Sequence, residues 1–304
     1  MLDSIISLAD LDRPQLWELM ELAEQLKQMR ARGREVEKRL SGKSVGMLFE
    51  KPSTRTRISF EVAVWELGGH PLFLSSKELQ LGRGEPLKDT ARVLSRYVHC
   101  VVARVISHDT LIELDRWSSI PVINALSDVE HPCQALADLL TIREAKGELE
   151  GVRAGWIGDG NNVCHSFMLG CALSGISLTV ATPAGYEPNR DIVERARALG
   201  GDIALTHDPE QAAQGADVLY TDVWVSMGQD AERERRLMDF KGFQLSDELL
   251  ALASSECIVL HCLPAHRGEE ITDAVIEGER SMVFEQAENR LHAQKALLYK
   301  LFER

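Results

Sequence analysis

Positive charge is scarce in this chain. Thirty-four lysines and arginines stand against 47 aspartates and glutamates, a formal net charge of −13. That balance argues against a nucleic-acid surface and against attraction to an anionic membrane. Any anionic ligand must therefore be drawn in by a local cluster of arginines. Cysteine pairs at metal or redox spacing are absent: Cys100, Cys133, Cys164, Cys171, Cys257 and Cys262 form no C-x-x-C, and most lie in apolar runs. This use of cysteine predicts buried free thiols in a reducing compartment, hence a cytoplasmic protein without disulfides or structural zinc. No apolar stretch is long enough to span a bilayer. Met1-Leu2-Asp3-Ser4 has no basic region followed by an apolar core, so no signal peptide is expected. Repeats and low-complexity tracts are also missing. So is the glycine pattern of a P-loop, which sets a nucleoside triphosphate aside.

What is present is a soluble composition, 44% hydrophobic and 27% charged over 304 residues, enough for two ordinary domains. Short apolar strands alternate with helical patterns along the whole chain. An amphipathic helix opens at Asp12-Arg13-Pro14 and reaches about Arg32. Strands are expected at 44–49, 71–74, 100–104, 121–124, 152–157, 178–181, 202–205, 217–221 and 257–260. The alternation predicts an α/β fold of two doubly wound parallel-sheet domains. The expected halves are residues 1–147, joined by a C-terminal helix at 286–304, and residues 148–285. A long helix from Pro132 to Lys146 is expected to connect them. The polar, charged stretch at 229–241 is expected to be either a flap that closes over the site or an ordinary solvated loop.

The densest chemistry lies at Ser53-Thr54-Arg55-Thr56-Arg57, between the strand at 44–49 and an apolar-rich helix. A helix N-terminus offers free N–H groups and partial positive charge. Three hydroxyls and two guanidiniums at that point suit a phosphate or carboxylate. A plain N-cap would need one hydroxyl. Arg104 ends a wholly apolar strand, and ligands of open α/β sheets bind at the carboxyl ends of strands. His131-Pro132-Cys133-Gln134 opens a helix and points an imidazole and an amide toward its start.

In the second half, Gly158-Asp159-Gly160-Asn161-Asn162-Val163 follows a strand and resembles a dinucleotide turn. The third glycine position is Val163, however, and no acid for a ribose ends the next strand. The turn retains the ability to bind an anion through its backbone, and Asn161 and Asn162 carry amides for an amino-acid carboxylate. Asp222 ends another strand and suits an ammonium group. Cys262, in His261-Cys262-Leu263-Pro264, is either a buried thiol or a reactive one. A cysteine hydrolase is disfavoured because no set of base and oxyanion groups accompanies it.

Taken together, Ser-Thr-Arg-Thr-Arg, His-Pro-Cys-Gln, Gly-Asp-Gly-Asn-Asn, Asp-x-x-x-Ser-Met-Gly and His-Cys-Leu-Pro resemble the aspartate/ornithine carbamoyltransferase family along nearly the whole chain. The resemblance implies transfer of the carbamoyl group of carbamoyl phosphate to the side-chain amine of L-ornithine, as in arginine biosynthesis. It gives L-citrulline and phosphate, with no cofactor and no metal. It assigns carbamoyl phosphate to Ser53, Thr54, Arg55, Thr56, Arg57, Gln80, Arg104, His131, Pro132, Cys133, Gln134, Cys262, Leu263 and Arg290. It assigns ornithine to Asn162, Asp222, Ser226 and Met227, and catalysis to Cys262, Arg104, His131 and Asp222. It implies a cleft between the two domains as the active site. It further implies a homotrimer or a multiple of trimers, with the Gln80 loop reaching a neighbouring subunit's site. Two alternatives stay open at this point. One is another acceptor such as putrescine, aspartate or an N-acylated ornithine, against which Asp222 and Ser226-Met227-Gly228 weigh. The other is a non-catalytic homologue, against which the retained arginines, His131, Gln134 and Cys262 weigh.

Overall fold

The structure, a computed structural model, describes residues 3–80, 84–226 and 230–303. It divides into two compact units, Met1–Leu140 with Glu288–Arg304, and Thr141–Ala287.

In the first unit, helix α1 (Arg13–Ala31) starts from a capping box between Asp12 and Gln15, with proline in its first turn. Its apolar positions Leu16, Leu19, Met20, Ala23 and Leu26 are buried. Then follow β1 (Ser44–Phe49), α2 (Thr54–Glu66), β2 (His70–Ser75), α3 (Leu87–Tyr97), β3 (Cys100–Arg104), α4 (His108–Trp117), β4 (Val122–Leu126) and α5 (Pro132–Lys146). The strands form a parallel sheet in the order β2-β1-β3-β4. Leu48, Val101, Ala103 and Val122 pack with Ala91, Leu111 and Leu114 of α3 and α4. The strand order reverses between β1 and β3, which pair so that Phe49 lies opposite Arg104. Both residues are the last of their strands. Such a reversal opens a crevice at the carboxyl ends of the strands.

The second unit contains β5 (Arg153–Ile157), α6 (Asn162–Ser174), β6 (Ser177–Ala181), α7 (Arg190–Ala198), β7 (Ile203–Thr206), α8 (Pro209–Ala213), β8 (Val218–Thr221), α9 (Arg233–Asp239), α10 (Asp247–Leu252), β9 (Ile258–His261) and α11 (Asp273–Ile276). Its parallel sheet runs β7-β6-β5-β8-β9, reversing between β5 and β8. Trp156, Phe167 and Tyr220 form an aromatic cluster against this sheet, with Trp156 and Tyr220 ring centroids 4.8 Å apart.

The last helix, α12 (Val283–Leu301), carries the chain into its C-terminal segment. There Lys295, fully buried, pairs with Glu66, and Lys27 donates to Asn289 Oδ1 at 2.8 Å. Among the described residues no helix is long and apolar enough to cross a membrane. All six cysteines are free, and five are buried.

One expectation needs correcting here. The charged stretch, described from residue 230 to 241, is no simple solvated loop. Within it α9 forms a helix, Phe240 is buried, and Arg236 is only 4% exposed. Arg236 donates to Trp224 O and pairs with Asp159, so the segment is fastened from its middle.

Candidate active site

The first group of functional side chains stands at the β1/β3 reversal. Ser53 N-caps α2, its Oγ accepting from Thr56 N at 3.2 Å, while its carbonyl accepts from Arg57 N. The N–H groups of Thr54 and Arg55 have no acceptor among the described residues. Arg55 is half-buried, yet its guanidinium makes no hydrogen bond or ion pair among them. Open N–H groups and an uncommitted guanidinium on one helix start are what an oxyanion requires.

Thr56 points inward. Its Oγ1 accepts from Arg290 Nη2 at 3.0 Å, and Arg290 Nη1 donates to Gln134 Oε1 at 2.6 Å. Gln134 in turn donates to Asp138 Oδ1 at 2.8 Å. All four side chains are buried, so α12 holds the start of α2 against the start of α5 through one guanidinium. His131, at the start of α5, is buried beside them. Burial first, then the positive charges of Arg290 and Arg104, hold its pKa well below the usual histidine range. It is a neutral imidazole near pH 7, suited to donating one N–H to a carbonyl oxygen. Pro132 starts α5. Cys133 is pushed up to about 12 by burial and donates weakly to Asn124 O, so it serves as an inert packing thiol.

Two further residues of the expected set lie apart from this group, Gln80 being expected at a neighbouring subunit's site. Arg57 pairs with Glu61 at 3.0 Å and lies over the Phe73 ring, 3.8 Å from its centroid, so its charge is already engaged. Gln80 is exposed beside the undescribed residues 81–83 and touches none of this group in the hydrogen-bond network.

The second group stands at the β5/β8 reversal of the other unit. Asp222 follows β8 and is 5% exposed. Its Oδ2 accepts from Asn161 Nδ2 at 2.8 Å, and its Oδ1 accepts from the Cys262 thiol at 3.0 Å. Cys262 follows β9, and Asn161 opens α6. Each of these three side chains is thus set by the end of a different strand.

The glycine turn does not keep the backbone donors expected of it. Gly158 N and Gly160 N donate to Ala181 O and Tyr186 O, and Val163 N and Cys164 N donate to Asn161 Oδ1. A Cβ on Gly160 would lie 2.3 Å from Pro188 N. The glycine is therefore required by the passing chain, not by a ligand. Asn161 likewise caps α6 and holds Asp222 rather than reaching for a carboxylate. Asn162 and Ser226 lie at the mouth of the turn and after Trp224, both half-buried. Met227 lies outside the described residues.

Sequence patterns did not point to Asp159, Arg236, His261 or Glu270. Asp159 faces Arg236, and burial, opposed by that arginine and reinforced by Asp222, pushes its carboxyl up to about 6. His261 Nδ1 accepts from Leu263 N at 2.9 Å, and its Nε2–H meets Glu270 Oε1 at 3.0 Å. Both atoms of Glu270 and His261 are fully buried. Asp222, His261 and Cys262 come within 4.8 Å of one another, a spacing that could suit a metal. Both nitrogens of His261 are already committed, however, to Leu263 N and Glu270, which leaves the thiol hydrogen-bonded to Asp222 with His261 beside it. Leu263, half-buried, holds a left-handed φ of 56° directly after Cys262.

The arrangement can hold an oxyanion and polarise a carbonyl in one unit, and hold an amine beside a carboxylate and thiol in the other. Comparison with known proteins matches residues 3–144 to the "Aspartate/ornithine carbamoyltransferase, carbamoyl-P binding domain" and residues 150–301 to the "Aspartate/ornithine carbamoyltransferase, Asp/Orn binding domain". The chain is 57% identical over 297 residues to a protein of Archaeoglobus fulgidus named ornithine carbamoyltransferase, covering 98% of this chain and 96% of that one. A protein of the same name from Methanosarcina mazei is also 57% identical, with 98% of each covered. Among solved structures, the ornithine carbamoyltransferase of Pyrococcus furiosus superposes with a TM-score of 0.94 at 48% identity, covering 98% of this chain and 97% of that one. That of Thermus thermophilus gives 0.91 at 46% identity, with 100% of both covered.

Proposed function

Because the chain belongs to the aspartate/ornithine carbamoyltransferase family, we propose that it transfers the carbamoyl group of carbamoyl phosphate to the side-chain amine of L-ornithine. The products are L-citrulline and phosphate, the chemistry of arginine biosynthesis. Residues 1–147 with 286–304 take carbamoyl phosphate, and residues 148–285 take ornithine. The protein works as a trimer or multiple of trimers in the cytoplasm.

The observation that carries the choice of acceptor is the Asp222 carboxylate, held by Asn161 at 2.8 Å and by the Cys262 thiol at 3.0 Å. An anion fixed in a buried position favours an ammonium-bearing acceptor and opposes one with a second carboxylate. Carbamoyl phosphate is met by the open N–H groups of Thr54 and Arg55, the Arg55 guanidinium, and the Thr56–Arg290–Gln134 assembly.

The side-chain ammonium of free ornithine has a pKa near ~10.4 and must lose a proton before it can attack. The Asp222 carboxylate holds the group and takes that proton, with the Cys262 thiol positioning the carboxylate. The amine nitrogen then bonds to the carbamoyl carbon. Charge develops on the carbamoyl oxygen, where Thr56, Arg104 and the neutral His131 stabilise it; a preorganised donor of this kind is worth about 3 kcal/mol. The carbon–oxygen bond to phosphate breaks, and phosphate leaves with the electron pair, taking the proton that the attacking nitrogen sheds, into the cradle of Ser53, Thr54, Arg55 and Thr56. Asn162 and Ser226, with Met227, hold the amino-acid end of ornithine.

The test is product formation from carbamoyl phosphate with ornithine, putrescine, aspartate and N-acetylornithine in parallel. Citrulline from ornithine alone is the expected result. Product from another amine would keep the phosphate cradle and discard the Asp222 pocket. No product from any acceptor would favour a non-catalytic homologue.

A further inference from the structure

We propose that His266, Glu269 and Glu270 form a binding site for a divalent cation, separate from the Cys262–Asp222 pair. These residues follow the His-Cys-Leu-Pro turn in the segment between β9 and α11. One ligand atom from each lies within 4.8 Å of the other two. His266 Nδ1 and Glu269 Oε2 are 3.7 Å apart, too far for a hydrogen bond but suited to two atoms sharing one ion.

Commitment of the remaining atoms strengthens the assignment. Glu270 is fully buried, and its Oε1 accepts from His261 Nε2 and from His266 N. Its other oxygen, Oε2, has no hydrogen-bond partner among the described residues. The same holds for Glu269 Oε2, whereas Glu269 Oε1 pairs with Arg233. It also holds for His266 Nδ1. His266 Nδ1, Glu269 Oε2 and Glu270 Oε2, the last on a wholly buried carboxylate, are thus without hydrogen-bond partners among the described residues, in a trio of residues whose ligand atoms come together. Leaving even one such atom unsatisfied is costly, and a cation held by the trio would offset that cost. The His266 ring is partly open to solvent, which leaves room for water ligands and an entry path.

One nitrogen and two carboxylate oxygens select a borderline to hard ion, such as Zn²⁺, Co²⁺ or Mn²⁺, over a soft one. Glu270 would bind the ion through one oxygen while its other oxygen orients His261, a carboxylate–histidine coupling often seen around metals. The ion would therefore be joined through a single carboxylate to the strand end that carries Cys262.

Co²⁺ is the probe, because its visible bands report coordination and thiolate ligation adds a near-ultraviolet charge-transfer band. Full-length Cys262→Ser protein, stripped with chelator, should bind one Co²⁺ with visible bands and no thiolate band. Glu269→Gln and His266→Ala, each placed in that background, should each weaken binding by about tenfold or more. Circular dichroism and melting temperature confirm that the variants fold. Absence of Co²⁺ binding to the Cys262→Ser protein, or unchanged affinity in either added variant, would overturn the site. Carbamoyl transfer is not part of the readout, so its failure leaves this test untouched.

Discussion

Replacing Arg290 by methionine tests the structural centre of the carbamoyl-phosphate group. Methionine keeps much of the length and apolar stem but removes the charge and the donors. Arg290 is 3% exposed and donates to Thr56 Oγ1 at 3.0 Å and Gln134 Oε1 at 2.6 Å. The variant leaves both acceptors buried without that donor, each at a cost of about 1–3 kcal/mol, so about 2–6 kcal/mol together. Relief of the buried guanidinium's own desolvation offsets part of this. A second effect is electrostatic. Of the two arginines that depress His131, Arg290 has the larger effect, so its loss raises the His131 pKa while burial and Arg104 keep it low. The third effect is catalytic: Thr56 and Gln134 lose their fixed positions, and kcat/KM for carbamoyl phosphate should fall about 10²–10³-fold. Urea unfolding with an unchanged m-value reads the first effect, and histidine side-chain NMR titration reads the second. Steady-state kinetics read the third. A variant with kcat/KM within about threefold of wild type and an unmoved His131 titration would refute the assignment.

Other outcomes follow from the same geometry. Arg55→Ala should abolish turnover while melting at the wild-type temperature, because the Arg55 guanidinium has no protein partner among the described residues to lose; near-normal activity would remove it from the phosphate cradle. Asp222→Asn should lower kcat about 10²–10⁴-fold with little change in KM for carbamoyl phosphate, and equal rises in both KM values would contradict the division of substrates between the units. His131 is held neutral when folded but has an ordinary pKa of about 6.5 when unfolded, so the unfolded chain takes up the proton first and stability is lost as pH falls below about 6.5. His292, lowered to about 4 chiefly by burial, acts in the same direction. Urea unfolding from pH 8 to pH 5 should therefore show falling stability, and His131→Asn should make that slope shallower without abolishing it.

Much of this architecture is legible from residue order because its signals are local. Short apolar runs such as Cys100-Val101-Val102-Ala103 end at a polar residue, and that boundary marks both a strand and the place where a ligand is met. Ser53 lies three residues before Thr56, and the spacing alone identifies a cap. Burial within a charged run is a different matter. Arg233, Arg235 and Arg236 are near neighbours in one polar stretch, yet Arg236 alone of them sinks against Asp159, Tyr186 and Phe240. Residues far away in sequence decide that, and no periodicity in the stretch announces it. Arg57 shows the converse: its position in Ser-Thr-Arg-Thr-Arg suggests an anion, while one turn of helix brings Glu61 beneath it. His-Arg-Gly-Glu-Glu gave no site by spacing either, because its convergence depends on Glu270 turning inward to His261.

The two units place opposite charge at the same topological position. In the first, the strand order reverses beside a helix start lined with hydroxyls, and Arg104, Arg290 and Arg55 concentrate positive charge in a chain whose net charge is −13. In the second, the reversal carries Asp222, with Asp159 beside it, and the cation nearest to them, Arg236, is spent on Asp159. A parallel sheet supplies the place for a ligand but not its sign. The sign is set by the charged residue at each strand's carboxyl end: Arg104 after Ala103 in one unit, Asp222 after Thr221 in the other. Exchanging that single charge at Asp222 should alter the choice of acceptor before it alters the fold, because an amide keeps one oxygen to accept from Asn161 and gives up only the acceptor for the Cys262 thiol.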